Sequence, residues 1–323
     1  ANTVSVRLNG IESNYSGGVI AVTGNTLENT DTSSQYYWSK GSGIYFHYPR
    51  ANGGADNAIT SVTLQNNTIK KFGGNAGLYF DGNNQTITSS ITGNTITGSY
   101  YRGVNIRNLQ GTSITGNTVT GSTDAGVYLQ NAVPSAFKDN VITGNGTTSN
   151  QPGLYISHSN AELSESFLIK DNDLSGNHIG IELRQFANAV VEGNDLSGST
   201  SYGLNNLTTN AIDARYNYWG VDEAGVMSSG DNPQALAFVY DGFDESQYGS
   251  VNYAGWLPTV DGAPSSVTVA GDLVFLDSAG AVTTTYQSSD AALVVQVSDL
   301  DRNEDAANLD EFTVLLTSDT ENT

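Results

Sequence analysis

One short pattern recurs eight times in the first 220 residues: an apolar residue, two polar or turn residues, Asn, one further residue, then an aliphatic or aromatic one. It reads Val22-Thr-Gly-Asn25-Thr-Leu27 at its first appearance and Ile114-Thr-Gly-Asn117-Thr-Val119 in mid-array. Its asparagines are Asn25, Asn67, Asn94, Asn117, Asn140, Asn172, Asn194 and Asn217, with successive spacings of 42, 27, 23, 23, 32, 22 and 23. The base period is therefore 22–23, with insertions in some turns. A second motif, Gly-aliphatic-x-apolar, begins at Gly43, Gly77, Gly103, Gly126, Gly153, Gly180 and Gly203. After Gly103, Gly126, Gly180 and Gly203 the next repeated Asn follows 14 residues on. Two interleaved motifs at a constant offset mark a repeat architecture, in which no unit can bury its apolar face alone.

The composition says which one. There are 36 glycines, charged residues are only 14%, and Asn, Ser and Thr are abundant. All are poor helix formers. Short strands at a 22–23-residue period, without the Leu density of a leucine-rich repeat, predict one coil of a parallel β-helix per repeat. The expected fold class is all-β, a solenoid with a small C-terminal sandwich-like module. Eight coils stacked at ~4.8 Å give a rod on the order of 40 Å long. The eight asparagines are expected to be structural. Asn tolerates left-handed turn geometry, and amides stacked in register donate to one another.

Charge divides the chain. Residues 1–220 hold 15 acids and 11 bases, whereas 221–323 hold 18 acids and the single base Arg302. The shift places boundaries at 1–220 (helix), 221–263 (cap or linker) and 264–323 (a small β module). The overall charge of −21 disfavours nucleic acid. The absence of Cys excludes disulfides and thiolate chemistry. No run of 18 apolar residues exists, so no membrane span is expected. The start at Ala1, without a signal peptide, fits a processed or excised segment.

In the last module, Val267–Val269, Leu273–Leu276, Leu293–Val297 and Phe312–Leu316 read as strands resembling part of an immunoglobulin-like sandwich. Asp299, Asp301, Asn303, Asp305 and Asp310 place oxygen ligands at alternating positions, which suits Ca²⁺. Glu304 stands where an EF-hand needs Gly, so the loop is a Ca²⁺ site of another kind or a solvated acidic turn.

The repeats resemble those of right-handed parallel β-helix proteins of the pectate-lyase-like group. Tyr216-Asn217-Tyr218-Trp219-Gly220 is similar to the segment that closes such helices in secreted bacterial proteins, and Val251–Pro258 to the segment that follows it. Together the similarity spans about residues 1–260. It implies a right-handed helix and an extracellular or cell-surface setting. It leaves activity open, since the group contains lyases, hydrolases, epimerases, adhesins and fibre proteins.

Strand alternation sends the residues two and four after each motif Gly outward. The first outward column reads Tyr45, Tyr79, Asn105, Tyr128, Tyr155, Glu182 and Asn205; the second includes His47, Asp81, Arg107 and Arg184. Tyr45, Tyr79, Asn105, Arg107, Tyr128, Tyr155, Glu182 and Arg184 are the candidate glycan-binding face; the competing reading is plain ladder stacking. No catalytic residue is assigned. Asp81 and Glu182 stand about four coils apart, on the order of 19 Å, beyond the range of paired glycosidase carboxylates. Glu182, Arg184 and His158 form one polar cluster and Arg102 with Arg107 another; the histidines read as scattered surface residues. Two functions follow: a Ca²⁺-stiffened extracellular structural or adhesive rod in a surface layer, fibre or biofilm matrix, or a polysaccharide lyase or related enzyme working on the tyrosine face. The expected partners are polysaccharide or neighbouring copies of the chain, joined head to tail in a filament.

Overall fold

The computed structural model describes residues 2–6, 9–14, 18–31, 41–47, 59–161, 166–229, 232–266, 272–276, 282–283 and 294–298. The chain forms two compact units, Ala1–Gly230 with Gln234–Ser266, and Asp231–Pro233 with Val267–Thr323.

The first unit is a solenoid of three parallel sheets. Sheet one holds the strands that follow the repeated Asn, such as Thr95–Thr97 and Thr118–Thr120. Sheet two holds the strands of the Gly motif, from Ile11–Asn14 through Leu78–Thr86, Val104–Gln110 and Val127–Gln130 to Val239–Tyr240. Sheet three holds the strands that precede the Asn, from Gly18–Thr23 through Ser113–Thr115 to Val251–Asn252. Among the described residues, sheets two and three each contain nine strands. Each coil visits sheets two, three and one in turn, then drops one level.

Alternation makes the core. In sheet two Val104, Val127 and Leu154 lie in register and are buried, as are Ile106, Leu129 and Ile156. Ile91, Ile114 and Phe137 stack in sheet three, and Ile69, Ile96, Val119 and Ile142 in sheet one. Each fully buried aliphatic side chain is worth about 1.5–3 kcal/mol, so every added coil contributes several such increments.

The motif glycines owe their place to contact. A Cβ on Gly103 would lie 2.3 Å from Val119 Cγ1 and 2.6 Å from the Gly126 carbonyl oxygen; one on Gly126 would meet Gly153 O at 2.7 Å. The glycines before the ladder Asn serve geometry instead. Gly93 and Gly116 have φ of 65° and 62°, and Asn66, Asp139, Asp171 and Tyr216 adopt the same left-handed conformation in other coils.

Residues 221–263 are more than a linker. They hold a helix, Val221–Ser229, that buries Ala224 and Met227. They also supply Val239–Tyr240, paired with the sheet-two strand Tyr202–Thr208, and Val251–Asn252, paired with Ile212–Asp213 of sheet three. The repeat had dissolved in this sequence, but the coil geometry persists. Tyr253 and Trp256 are buried there, and Trp219 just before it, wider rings than the aliphatic columns they succeed.

In the second unit, Asp272–Leu276 pairs antiparallel with Val282–Thr283 and with Val294–Ser298. The expected strands at 267–269 and 312–316 lie outside the described residues.

Candidate functional site

The outward columns of sheet two form the candidate surface. Register confirms the order: Tyr45 beside Tyr79, Tyr79 beside Asn105, then Tyr128, Tyr155, Glu182, Asn205 and, one coil further, Tyr240. The columns point away from the core, yet much of the first is covered. Tyr79 is 5% exposed, Asn105 1% and Glu182 6%, whereas Arg184 is exposed. The polar-aromatic face is thus part buried and part exposed, with Tyr45, Arg107, Tyr128 and Tyr155 half-buried.

Stacking within the column is the cause. Tyr45 and Tyr79 stack at 5.0 Å and 15°, Tyr128 and Tyr155 at 4.4 Å and 2°. The Arg102 guanidinium carbon lies 3.4 Å from the Tyr128 ring centroid, opposite Tyr155, so both faces of that ring are occupied. Arg102 reaches there from the corner between sheets one and two and is held by Asp124, Nε to Oδ2 at 3.3 Å. Arg107 lies 5.5 Å from the same centroid and donates Nε to Asn105 Oδ1 at 3.2 Å. Burial, with the Asp81 carboxylate next in weight, pushes the Tyr79 phenol well above its ordinary pKa. Burial likewise raises Tyr155, with Tyr128 adding to it. These hydroxyls stay protonated.

The acids are committed inside the face. Asp81 accepts from the Tyr79 hydroxyl at 3.4 Å, the Asn83 backbone N–H at 3.0 Å and the Asn108 amide at 3.1 Å. Glu182 accepts Arg184 Nε at 2.7 Å and Asn205 Nδ2 at 3.0 Å. Four strand steps separate the two acids in the register. His158 does not join Glu182 and Arg184 on the surface: it is fully buried, with Nε2 3.3 Å from the Ala132 carbonyl oxygen. His178 meets the Thr200 hydroxyl at 2.9 Å, and the His47 ring lies 5.7 Å from that of Tyr45. Among the described residues no group of three or more His, Asp or Glu side chains is arranged to hold a metal ion. Asp299, Asp301, Asn303, Asp305 and Asp310 lie outside the described residues.

The eight asparagines stack in one column. Each Nδ2 from Asn25 to Asn194 donates to the Oδ1 of the next ladder Asn at 2.9–3.1 Å. Each backbone N–H of the same seven donates to that same oxygen.

The sequence reading missed two features. A second column lies five residues beyond the first: Ser122 N–H donates to Asn145 Oδ1 at 2.9 Å, and Asn145 Nδ2 to Asn177 Oδ1 at 3.2 Å. At the far end of sheet two, Tyr240 lies 5.5 Å from Tyr202 and 6.0 Å from Tyr248, the pairs tilted by 58° and 55°. The only sequence signal for this cluster was a local density of Tyr outside the repeat.

A solenoid of three parallel sheets, closed by a buried amide ladder and aliphatic columns, is a parallel β-helix. The chain belongs to the family of the right-handed beta helix region, whose model matches residues 52–218, just over half of its length. No curated protein and no solved structure matches it.

Proposed function

We propose that this chain is an extracellular structural or adhesive β-helix, a scaffold rather than a catalyst. One observation carries the reading: Asp81, Arg107, Glu182 and Arg184 on the outward face of sheet two are each hydrogen-bonded to neighbouring side chains of that face. Asp81 and Glu182 each hold their partners within the face and stand four coils apart. Glycoside hydrolysis by paired carboxylates needs ~5–5.5 or ~6.5–9.5 Å. Arg102 is bound to Asp124 through Nε and lies over the Tyr128 ring, with Nη1 buried and unpartnered. Side chains bonded in this way favour a face that holds its shape. In this reading the acidic C-terminal segment binds Ca²⁺ through Asp299, Asp301, Asn303, Asp305 and Asp310 and stiffens its own unit.

The competing polysaccharide lyase is separated by turnover. The purified chain is incubated with a broad polysaccharide panel, with and without Ca²⁺, and new reducing ends and unsaturated products are measured. The expected outcome is no product above background. Release of unsaturated oligosaccharides would overturn the scaffold reading.

A further inference from the structure

We propose that the tyrosine cluster at the C-terminal end of the solenoid binds a phosphocholine headgroup, its trimethylammonium on the rings and its phosphate on Arg184. The proposal deepens the adhesive reading and rests on it. Tyr240 is the centre of the cluster. Its ring lies 5.5 Å from that of Tyr202 and 6.0 Å from that of Tyr248, tilted by 58° and 55°. All three side chains are half-buried. Rings tilted in this way do not cover one another as Tyr128 and Tyr155 do at 2°, so π-faces stay free for a cation. The Tyr240 hydroxyl donates to Glu245 Oε1 at 2.7 Å, which fixes that ring and sets a carboxylate at its rim. Residues 241–248, which supply Glu245 and Tyr248, hold three acids and no Lys or Arg. Arg184 brings the opposite sign. Its Nε is held by Glu182 at 2.7 Å, while the side chain is 47% exposed and its Nη groups carry further donors. The Tyr248 phenol lies within electrostatic range of that guanidinium.

The chemistry selects the ligand. A bare cation here meets Arg184, and a bare anion meets Asp244 and Glu245. A zwitterion of the right length places each charge against its opposite. A trimethylammonium has no N–H to donate, so aromatic faces hold it better than hydrogen-bond acceptors do, and a ring attracts it within about 6 Å of the centroid. A primary ammonium keeps three donors and a tight water shell, and so loses more on leaving water. Phosphate oxygens accept the forked N–H groups of a guanidinium. The charge of −21 over the whole chain turns away polyanions, which a headgroup of no net charge escapes.

The test is calorimetric titration of the full chain with phosphocholine, choline, phosphoethanolamine and inorganic phosphate. Phosphocholine should bind more tightly than each of the other three, by about fivefold or more. Tyr240→Leu and Tyr248→Leu should each weaken it by about the same factor. Arg184→Gln should remove the preference for phosphocholine over choline. Tyr100→Leu, an exposed tyrosine of an earlier coil, should leave affinity unchanged. If either leucine variant fails to fold, Arg184→Gln carries the test. Cosedimentation with phosphatidylcholine vesicles, beside phosphatidylglycerol vesicles, separates the sources: capture by the first alone assigns a lipid surface, and binding of the free headgroup without capture assigns one borne outside a bilayer. No binding of phosphocholine, equal binding of phosphoethanolamine, or indifference to Arg184→Gln would overturn the site. None of these results involves bond cleavage, so they are distinct from failure of the scaffold reading.

Discussion

Asn117 uses every hydrogen-bonding position of its amide. Nδ2 donates to Asn140 Oδ1 at 3.0 Å and to the Ile91 carbonyl at 2.8 Å, and Oδ1 accepts the backbone N–H and Nδ2 of Asn94, both at 3.0 Å. Asn117→Ala should therefore cost on the order of 1–3 kcal/mol, because buried neighbours lose partners. Denaturant unfolding measures it, and an unchanged midpoint would contradict the ladder's energetic role. Gly103→Ala tests contact rather than bonding: its Cβ must displace Val119 or backbone, so a loss of about 1–3 kcal/mol is expected from overpacking. Asp241 carries a pH signature. Burial raises its pKa, although the N–H groups of Phe243 and Val251 pull it back. The folded state then holds the proton more tightly than the unfolded one. The stability contributed by that proton is present below the unfolded pKa and fades as pH rises through the folded pKa. Asp241→Asn should remove that slope, seen by comparing unfolding free energies of the two proteins from about pH 3 to about pH 7.

At the level of strands and turns, the second amide column is unfinished. Ser99 and Ser122 occupy it in the two coils before Asn145, and both hydroxyls are buried without a partner. Ser122 already aligns its backbone N–H on Asn145 Oδ1, and Gly103 packs against it as Gly126 packs against Asn145. Ser122→Asn should extend the ladder by one rung and raise the melting temperature by a few degrees, roughly 1 kcal/mol. A lowered melting temperature would show that the corner lacks room. The first ladder was legible in the sequence because one residue type recurs at one offset. The second was not, because it holds Ser at 99 and 122 and Asn at 145 and 177, and their physical equivalence appears only in register. The outward orientation of the tyrosines was legible from strand alternation, but their covering was not. Arg102 comes from a corner that obeys no period. Tyr240 and Tyr248 lie past residue 220, where the repeat fades from the sequence though the coil continues.

On the scale of the whole molecule, two units of unlike build should answer differently to solutes. Millimolar Ca²⁺ should raise the melting temperature of the transition that reports residues 264–323, and Asp301→Ala should abolish the shift, since a ligand that binds only the folded state stabilises it by mass action. Calorimetry of the full chain decides it, and no shift in the parent protein would remove Ca²⁺ from the account. The solenoid has a further property as one body. Backbone hydrogen bonds between its coils run both ways along the axis, as when Thr95 N–H donates back to Asn67 and Asn66 N–H forward to Thr92. Those dipoles largely cancel. The amide ladder does not cancel: each Nδ2 gives one proton to the later coil and, as in Asn117, the other back to the earlier one, but every ladder Oδ1 from Asn67 to Asn217 accepts from the earlier Asn, and Asn177 accepts from Asn145 in the same sense. Amide dipoles of ~3.5 D aligned head to tail add, as they do in an α-helix, and each polarises the next. The β-helix thus carries a side-chain electric axis, with its positive pole toward Asn217 and its negative pole toward the first coils, where Asn2 donates to Asn25, so its two ends present different fields to any charged neighbour.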